Sequence, residues 1–360
     1  MNSGLVGSRS GERQLRHNLL RKGTALCVLV AGSAALVACG SSGSSSGGSS
    51  SNASGSQNIR WHANLRLDYT VEGFTVPEVV AQQKGFYAKR GLDLKIEEGS
   101  GSGVTTQQTG SGVATFGEAD VSTAALYIAK GLPVKSVAVF LQTTPNGLAY
   151  RSDKVNITTP NDLKGKTLGL VQGEAPYQLL LAASKKNNIS PDSYKKVFMA
   201  VTALPGALLS GRIDAMGAFN VGSFETTKLK NPDVKFTSFA NWGVNVLSNG
   251  LLARNDTIKN NPDEVKALVD GTVEGWQWSL AHPDQAAAIA AKQFPTADEK
   301  ALKQGLLDSK ALLHTPETQN MPLGATTPTQ WSQTIQFDTT YAGMKSNKQP
   351  SDYYTNDFVK

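Results

Sequence analysis

From Ile59 onward, short stretches in which every second residue is apolar alternate with longer stretches whose apolar residues recur every three or four positions. The first pattern suits a strand with one buried face, the second an amphipathic helix. Residues 64–69 read as a strand. Residues 77–89 read as a helix with proline in its first turn, and Gly91 ends it before a second strand marked by Leu92, Leu94 and Ile96. Residues 121–130 read as a helix closed by Gly131, and 134–141 as a buried strand. The pattern restarts after Gly147 with strand 167–171, helix 176–187, strand 195–199, short helix 204–210 and strand 214–219. From Pro262 the chain turns helical, over Pro262–Ala281, Pro283–Gln293, 296–313 and 329–344. Strands alternating with helices predict an α/β fold with mostly parallel sheets, here with a helical C-terminal region. Thr158-Thr159-Pro160 and Ser248-Asn249-Gly250 are the expected crossings between two lobes. Lobe 1 is then 58–157 with 250–360, and lobe 2 is 158–249.

The first 38 residues are not fold material. Arg9, Arg13, Arg16, Arg21 and Lys22 precede an uncharged apolar stretch, 24–37, which falls short of the roughly 20 apolar residues a spanning helix needs. A basic start, a short apolar run and small residues before a cut are the marks of a secretory signal. The run Leu36-Val37-Ala38-Cys39-Gly40 resembles a bacterial lipobox, which implies a lipid on Cys39 and a membrane anchor. Residues 40–57 hold fifteen Gly or Ser in eighteen, and 39–57 therefore read as a flexible tether with a reach of roughly 23 Å. Removing the leader also changes the charge. The chain has 35 Lys+Arg and 29 Asp+Glu; the leader takes five and one, leaving 30 against 28. A net charge of +2 with no basic, aromatic-interleaved run argues against a nucleic-acid partner. The two cysteines, Cys27 and Cys39, both fall before the folded part, so no disulfide framework, cysteine nucleophile or cysteine metal site is expected there.

Val80-Ala81-Gln82-Gln83-Lys84-Gly85-Phe86-Tyr87 and then Gly91-Leu92-Asp93-Leu94 are similar to the "A-x-x-K-G-[FY]-[FY]…G-L-D-[VL]" signature of type II periplasmic solute-binding proteins. The resemblance is to the branch that holds the nitrate, sulfonate and taurine binders and the thiamine-pyrimidine-precursor (NMT1/THI5-like) proteins. Further matches follow in order at 112–117, 125–134, 162–166, 209–215 and 261–263, so that the likeness covers 67–294. It implies a two-lobe type II periplasmic-binding-protein fold with the ligand cleft between the lobes. It also implies delivery of a small molecule, by a monomeric binder, to an ABC permease and its ATPase. The resemblance leaves the ligand open.

The loops expected at the carboxyl ends of the strands are 68–77, 99–105, 115–123, 142–148, 172–178, 219–225 and 241–249. None contains Lys or Arg. An anion site favours Arg forks, Lys heads or helix starts free of acids. These loops instead carry carboxylates and aromatics, which suit a flat ring with N–H donors, such as an aminopyrimidine or a flavin. The candidate ligand residues are Tyr69, Phe74, Glu118, Glu174, Ala175 and Tyr177, with Phe116, Phe219, Asn220, Trp242 and Asn245. Glu174 and Tyr177 open a helix expected to face the cleft. Phe116 and Phe219 close buried strands and read equally as core, and Phe74 as packing against the first helix. Asp120 reads as a helix cap and Glu118 as the better ligand contact. The loop around Ser100, Gly101 and Ser102 could present backbone N–H groups to a sulfonate or phosphate, which keeps an anion-binding alternative open. His62, His282 and His314 lie far apart, and no nucleophile elbow or metal-spaced cluster appears, so neither catalysis nor a cofactor is expected. A ligand-sensing lipoprotein or an enzyme on the same fold is a lesser alternative.

Overall fold

The structure, a computed structural model, describes residues 58–360. The signal segment, Cys39 and the Gly/Ser tether lie outside the described residues. The strands in chain order are β1 (Trp61–Arg66), β2 (Leu92–Glu97), β3 (Phe116–Asp120), β4 (Val134–Val139), β5 (Asn146–Arg151), β6 (Thr167–Leu170), β7 (Lys195–Phe198), β8 (Ala215–Phe219), β9 (Val234–Ser238) and β10 (Asn249–Arg254). The helices are α1 (Val76–Gln83), α2 (Ser102–Ser111), α3 (Val121–Ala129), α4 (Ala175–Lys186), α5 (Leu204–Leu209), α6 (Ser223–Lys228), α7 (Asn255–Asn260), α8 (Pro262–Ala281), α9 (Pro283–Gln293), α10 (Glu299–Ser309) and α11 (Pro328–Tyr341).

Two five-stranded sheets share one plan, β2-β1-β3-β10-β4 and β7-β6-β8-β5-β9. In the first, β1 pairs in parallel with β2 and β3, and β10 lies antiparallel between β3 and β4. In the second, β6 pairs in parallel with β7 and β8, and β5 lies antiparallel between β8 and β9. The fourth strand of each sheet is thus the one that arrives directly from the other sheet. The chain crosses at 140–145 and returns at 239–248.

The first crossing therefore falls before β5, not at Thr158-Thr159-Pro160. Residues 146–157 belong with the second sheet because β5 is hydrogen-bonded on both sides, to β8 and β9. The Thr-Thr-Pro run is a capped turn inside that half: Asp162 accepts from the backbone N–H of Thr158 at 3.0 Å and of Thr159 at 2.7 Å. The C-terminal region does not belong to one half either. On α11, Trp331 packs in the first half, Phe337 packs in the core of the second, and Asp338 accepts from Ser122 at 2.9 Å.

The polar pattern hid α2, Ser-Gly-Val-Thr-Thr-Gln-Gln-Thr-Gly-Ser, which has no apolar stripe. It is held by hydroxyls that bond backbone carbonyls: Thr105 to Leu67 at 2.8 Å, Thr106 to Ser102 at 2.6 Å and Thr109 to Thr105 at 2.9 Å. Its small residues let it lie close to β3, where a Cβ at Gly117 would overlap the Thr109 hydroxyl. Two helices are shorter than the pattern predicts by more than a turn. α1 ends at Gln83 because Gly85 turns left-handed at φ 73°, and α10 starts at Glu299 because Asp298 caps it, accepting from Lys300 N at 2.9 Å.

The halves meet tightly where glycine permits. A Cβ at Gly73 would strike the Gly305 backbone, and one at Gly305 would strike the Val221 carbonyl. α10 thereby wedges between the first half and the loop after β8. Gly305→Ala must push that loop away, and a chemical-denaturation midpoint is expected to report a loss of about 1–3 kcal/mol.

Candidate functional site

The carboxyl ends of β1, β3, β6 and β8 converge on the seam between the sheets. β1 runs into Asp68, Tyr69 and Glu72. β3 carries Glu118 and ends at Asp120, β6 leads into Glu174, and β8 leads into Asn220. Asp68, Glu72, Glu118, Asp120 and Glu174 are all buried, as is Glu78 on α1. Among the described residues no Lys, Arg or His forms an ion pair with any of them.

Hydrogen bonds satisfy part of this charge. Asp68 accepts from Asn249 Nδ2 at 2.8 Å and from Ser102 Oγ at 3.2 Å. Asp120 caps α3 by accepting from Thr123 N at 2.7 Å, and takes Ser248 Oγ at 2.9 Å and Asn146 Nδ2 at 3.5 Å. Asn146 ends the first crossing, and Ser248 and Asn249 end the second, so both connections between the sheets are fastened to seam carboxylates. Asp68 Oδ1, Glu72 Oε2, Asn146 Oδ1 and Asn220 Oδ1 are buried with no partner.

Burial without counter-charge favours the protonated form. Asp68 is pushed up to about 6, chiefly by desolvation, against the pull of its Asn249, Glu118 and Ser102 hydrogen bonds. Glu78 is pushed up to about 8 by the same cause. Desolvation also holds Glu72, Glu118 and Glu174 well above the usual carboxylate range, and the neighbouring Asp68 raises all three further. The Tyr69 hydroxyl is raised by burial and then by Glu174, Glu72 and Asp68, which places it among these carboxyls.

The aromatic candidates divide. Phe74 and Phe219 stack on each other across the seam, centroids 5.6 Å apart at 17°, and Ala175 packs in the same apolar cluster. Phe116 is buried in the core of the first half. Tyr177 is not at the seam: it is half-buried and packs edge-on against the exposed Phe198 at 5.0 Å, on the side of α4 turned toward β7. Glu174, three residues earlier, is the extended N-cap residue of α4 (φ −91°, ψ 153°), so its side chain is not aimed by the helix that orients Tyr177. Trp242 belongs to the core of the second half, packed on Phe239 and donating Nε1 to Thr158 O at 3.0 Å. Asn245 is exposed and lines a separate cavity by the crossings. Ser100 is exposed, whereas Ser102 is buried. Gly101 N donates to Asp68 O at 2.6 Å, and Gly103 N donates across the seam to Gly173 O at 3.0 Å, so the start of α2 spends these N–H groups on protein.

A cavity of about 230 Å3 opens beside the seam, with Tyr69 and Glu72 in its wall. Its other walls, including Thr202, Ser223, Thr226 and Lys230, were not among the sequence candidates because α5 and α6 reach it through tertiary packing. Among the described residues no group of His, Cys, Asp and Glu has a metal-holding arrangement, and no helix is long and apolar enough to cross a membrane.

Two α/β sheets that face each other across a strand-end seam, joined by two crossings, make the periplasmic-binding-protein fold. The profile of the NMT1/THI5-like family matches residues 75–286, more than half of the chain, and the protein belongs to that family. It is 26% identical over 317 residues to the riboflavin-binding protein RibY of Chloroflexus aurantiacus, covering 85% of this chain and 88% of that one. It is 26% identical over 243 residues to the 4-amino-5-hydroxymethyl-2-methylpyrimidine phosphate synthase of Legionella pneumophila, covering 66% and 75%. In structure it is similar to the alkanesulfonate-binding protein SsuA of Xanthomonas axonopodis pv. citri bound to MOPS, with TM-score 0.65 and 13% identity over 82% of this chain and 99% of that one.

Asp68 and Glu78 hold protons in the fold at pH values where the unfolded chain has lost them. The native state then binds more protons, and stability falls as pH rises. The contribution is complete below about pH 4 and is lost through about 6 for Asp68 and about 8 for Glu78. The thermal midpoint of the ligand-free protein is expected to be lower at pH 8.5 than at pH 5, and Glu78→Gln to flatten the upper half of that decline, read by differential scanning fluorimetry.

Proposed function

We propose that this protein is the extracytoplasmic solute-binding component of an ABC importer and captures a small aromatic nitrogen heterocycle, a thiamine pyrimidine precursor or a riboflavin-like ring. The observation that carries the reading is the seam itself. Its buried carboxyls lack a cation: Asp68 shares a hydrogen bond with the neighbouring Glu118 carboxyl, and Glu72 Oε2 has no partner. Ring and exocyclic N–H groups would supply the missing donors. The Phe74–Phe219 pair, stacked across the seam, offers two faces between which a flat ring slots once the halves part. A riboflavin-binding relative and relatives that make a pyrimidine phosphate support the same ligand class.

The sulfonate, taurine or nitrate alternative draws on the shared fold of the alkanesulfonate binder. An anion here would meet carboxyls and a helix start whose Gly101 and Gly103 N–H groups are taken. The synthase relatives favour catalysis as a further alternative, yet His62 sits on the surface against Asp93, away from the seam.

A thermal-shift and calorimetry panel tests the ligand class. Aminopyrimidine and flavin rings are expected to stabilise the protein, by roughly 2.7 kcal/mol at 100 times Kd, and taurine, alkanesulfonates and nitrate to leave it unchanged. Stabilisation by a small anion alone would overturn the reading. Asp68→Asn and Glu174→Gln are expected to weaken ring binding at least tenfold, while Tyr177→Ala leaves it unaltered.

The lipobox-like run supports anchoring through lipid on Cys39 at the outer face of the membrane, close to the permease. Cys39→Ser is expected to move the protein from the membrane fraction to the soluble fraction; retention in the membrane would remove the anchor.

A further inference from the structure

We infer that the cavity beside the seam is a subsite for a neutral polyhydroxyl arm carried by the bound ring, an inference that rests on the ring-binding reading above. Tyr69 and Glu72 belong to both places: they stand among the seam carboxyls and they wall the cavity. A ligand seated at the seam therefore has its exit into this space. The cavity measures about 230 Å3, enough for a short chain of carbons and hydroxyls and below the roughly 300–1,000 Å3 of pockets that enclose a whole ligand.

The lining is chemically specific. Thr202 before α5 and Thr226 on α6 make no side-chain hydrogen bond among the described residues, and Ser223 Oγ accepts only from Phe219 N at 3.2 Å. Glu72 Oε2 is buried without a partner at the junction with the seam. Gly222 has no room for a Cβ because the Glu72 carboxylate fills that place, so this acid is held against the start of α6. A hydroxyl both donates and accepts, and can serve threonine hydroxyls and carboxyls alike. A phosphate cannot. Glu72, Glu98 and Asp298 face the space against one ammonium, Lys230. An apolar arm would cover the half-buried Thr226 hydroxyl and leave Glu72 Oε2 without a partner, while the exposed Thr202 marks the outer end of the space. The walls come from both halves, with Tyr69 and Glu72 on one side and Thr202, Ser223 and Thr226 on the other, so a hydroxylated arm would tie the two together.

Fluorescence and calorimetric titration of the purified protein tests this with four probes: riboflavin, whose ring carries a ribityl chain; lumiflavin, the same ring with a methyl; flavin mononucleotide, with phosphate on the arm; and the bare aminopyrimidine. Riboflavin is expected to bind at least tenfold tighter than lumiflavin and tighter than the mononucleotide. Thr202→Val with Thr226→Val should erase the gap by weakening riboflavin alone, and Thr202→Ser with Thr226→Ser should keep it, which separates lost contacts from lost folding. Equal affinity for riboflavin and lumiflavin, tighter binding of the mononucleotide, or binding of the aminopyrimidine with no flavin would overturn the arm subsite and leave the ring reading standing. No binding of any of the four rings would overturn the ring reading itself.

Discussion

A set of carboxylic acids buried where the two sheets meet, with no positive charge among them, sets the terms for the rest of the structure. An unpaired carboxylate out of water is costly enough that the group protonates or finds donors. Both happen. Asp68 and Asp120 are held by Asn249, Ser248 and Asn146, the residues at the ends of the crossings. Glu78, Glu72, Glu118 and Glu174 are driven toward the neutral form. The connections between the halves are thus bonded to the buried acids of the seam. Anything that changes the hydrogen bonding or protonation of Asp68 and Asp120 acts on the strands that join the halves.

The closed seam follows from the same constraint. With Glu72 lodged against Gly222, Gly103 bonded to Gly173 and Phe74 lying on Phe219, the halves exclude water from the acids. Exclusion of water raises the cost of their charge and also the value of any donor that enters. A ligand that brings N–H groups replaces an unfavourable desolvation with hydrogen bonds, and differential binding of that kind is what drives closure around a solute. The alkanesulfonate binder shares the architecture at 13% identity. The shared fold therefore does not by itself name a ligand.

Much of the scaffold is legible in the chain because its elements carry their own signals. β1, β2, β6 and α8 show their periods, and Gly91 marks the turn into β2, whereas the stops at Gly85 and Asp298 were read through. The misses have physical causes. β3 is Phe-Gly-Glu-Ala-Asp, buried throughout, so it has no alternation to read. α2 has no apolar face because hydroxyl-to-carbonyl bonds and close glycine packing hold it. The Thr158–Pro160 turn looks like a linker because a capped turn and a domain crossing use the same residues. Among the seam acids, Asp68, Glu72 and Asp120 stood in the strand-end loops without being singled out. Tyr177 and Trp242, expected at the cleft, lie away from the seam, since an aromatic near a strand end is shared between surface and core until the element that carries it is oriented.

What the sequence determined by itself is local and compositional: an α/β alternation, a basic and then apolar run ahead of Cys39, a glycine–serine stretch, and strand-end loops rich in acids and aromatics and free of Lys and Arg. Those are properties of short windows, and propensity and polarity fix them. Tertiary structure decided which of those acids share one buried volume, which crossing residues bond to them, and that Thr202, Ser223, Thr226 and Lys230, from segments far along the chain, wall the cavity at their side. The desolvation that raises Asp68, Glu72 and Glu174 exists only when two sheets close over them, so it has no trace in any window of the chain.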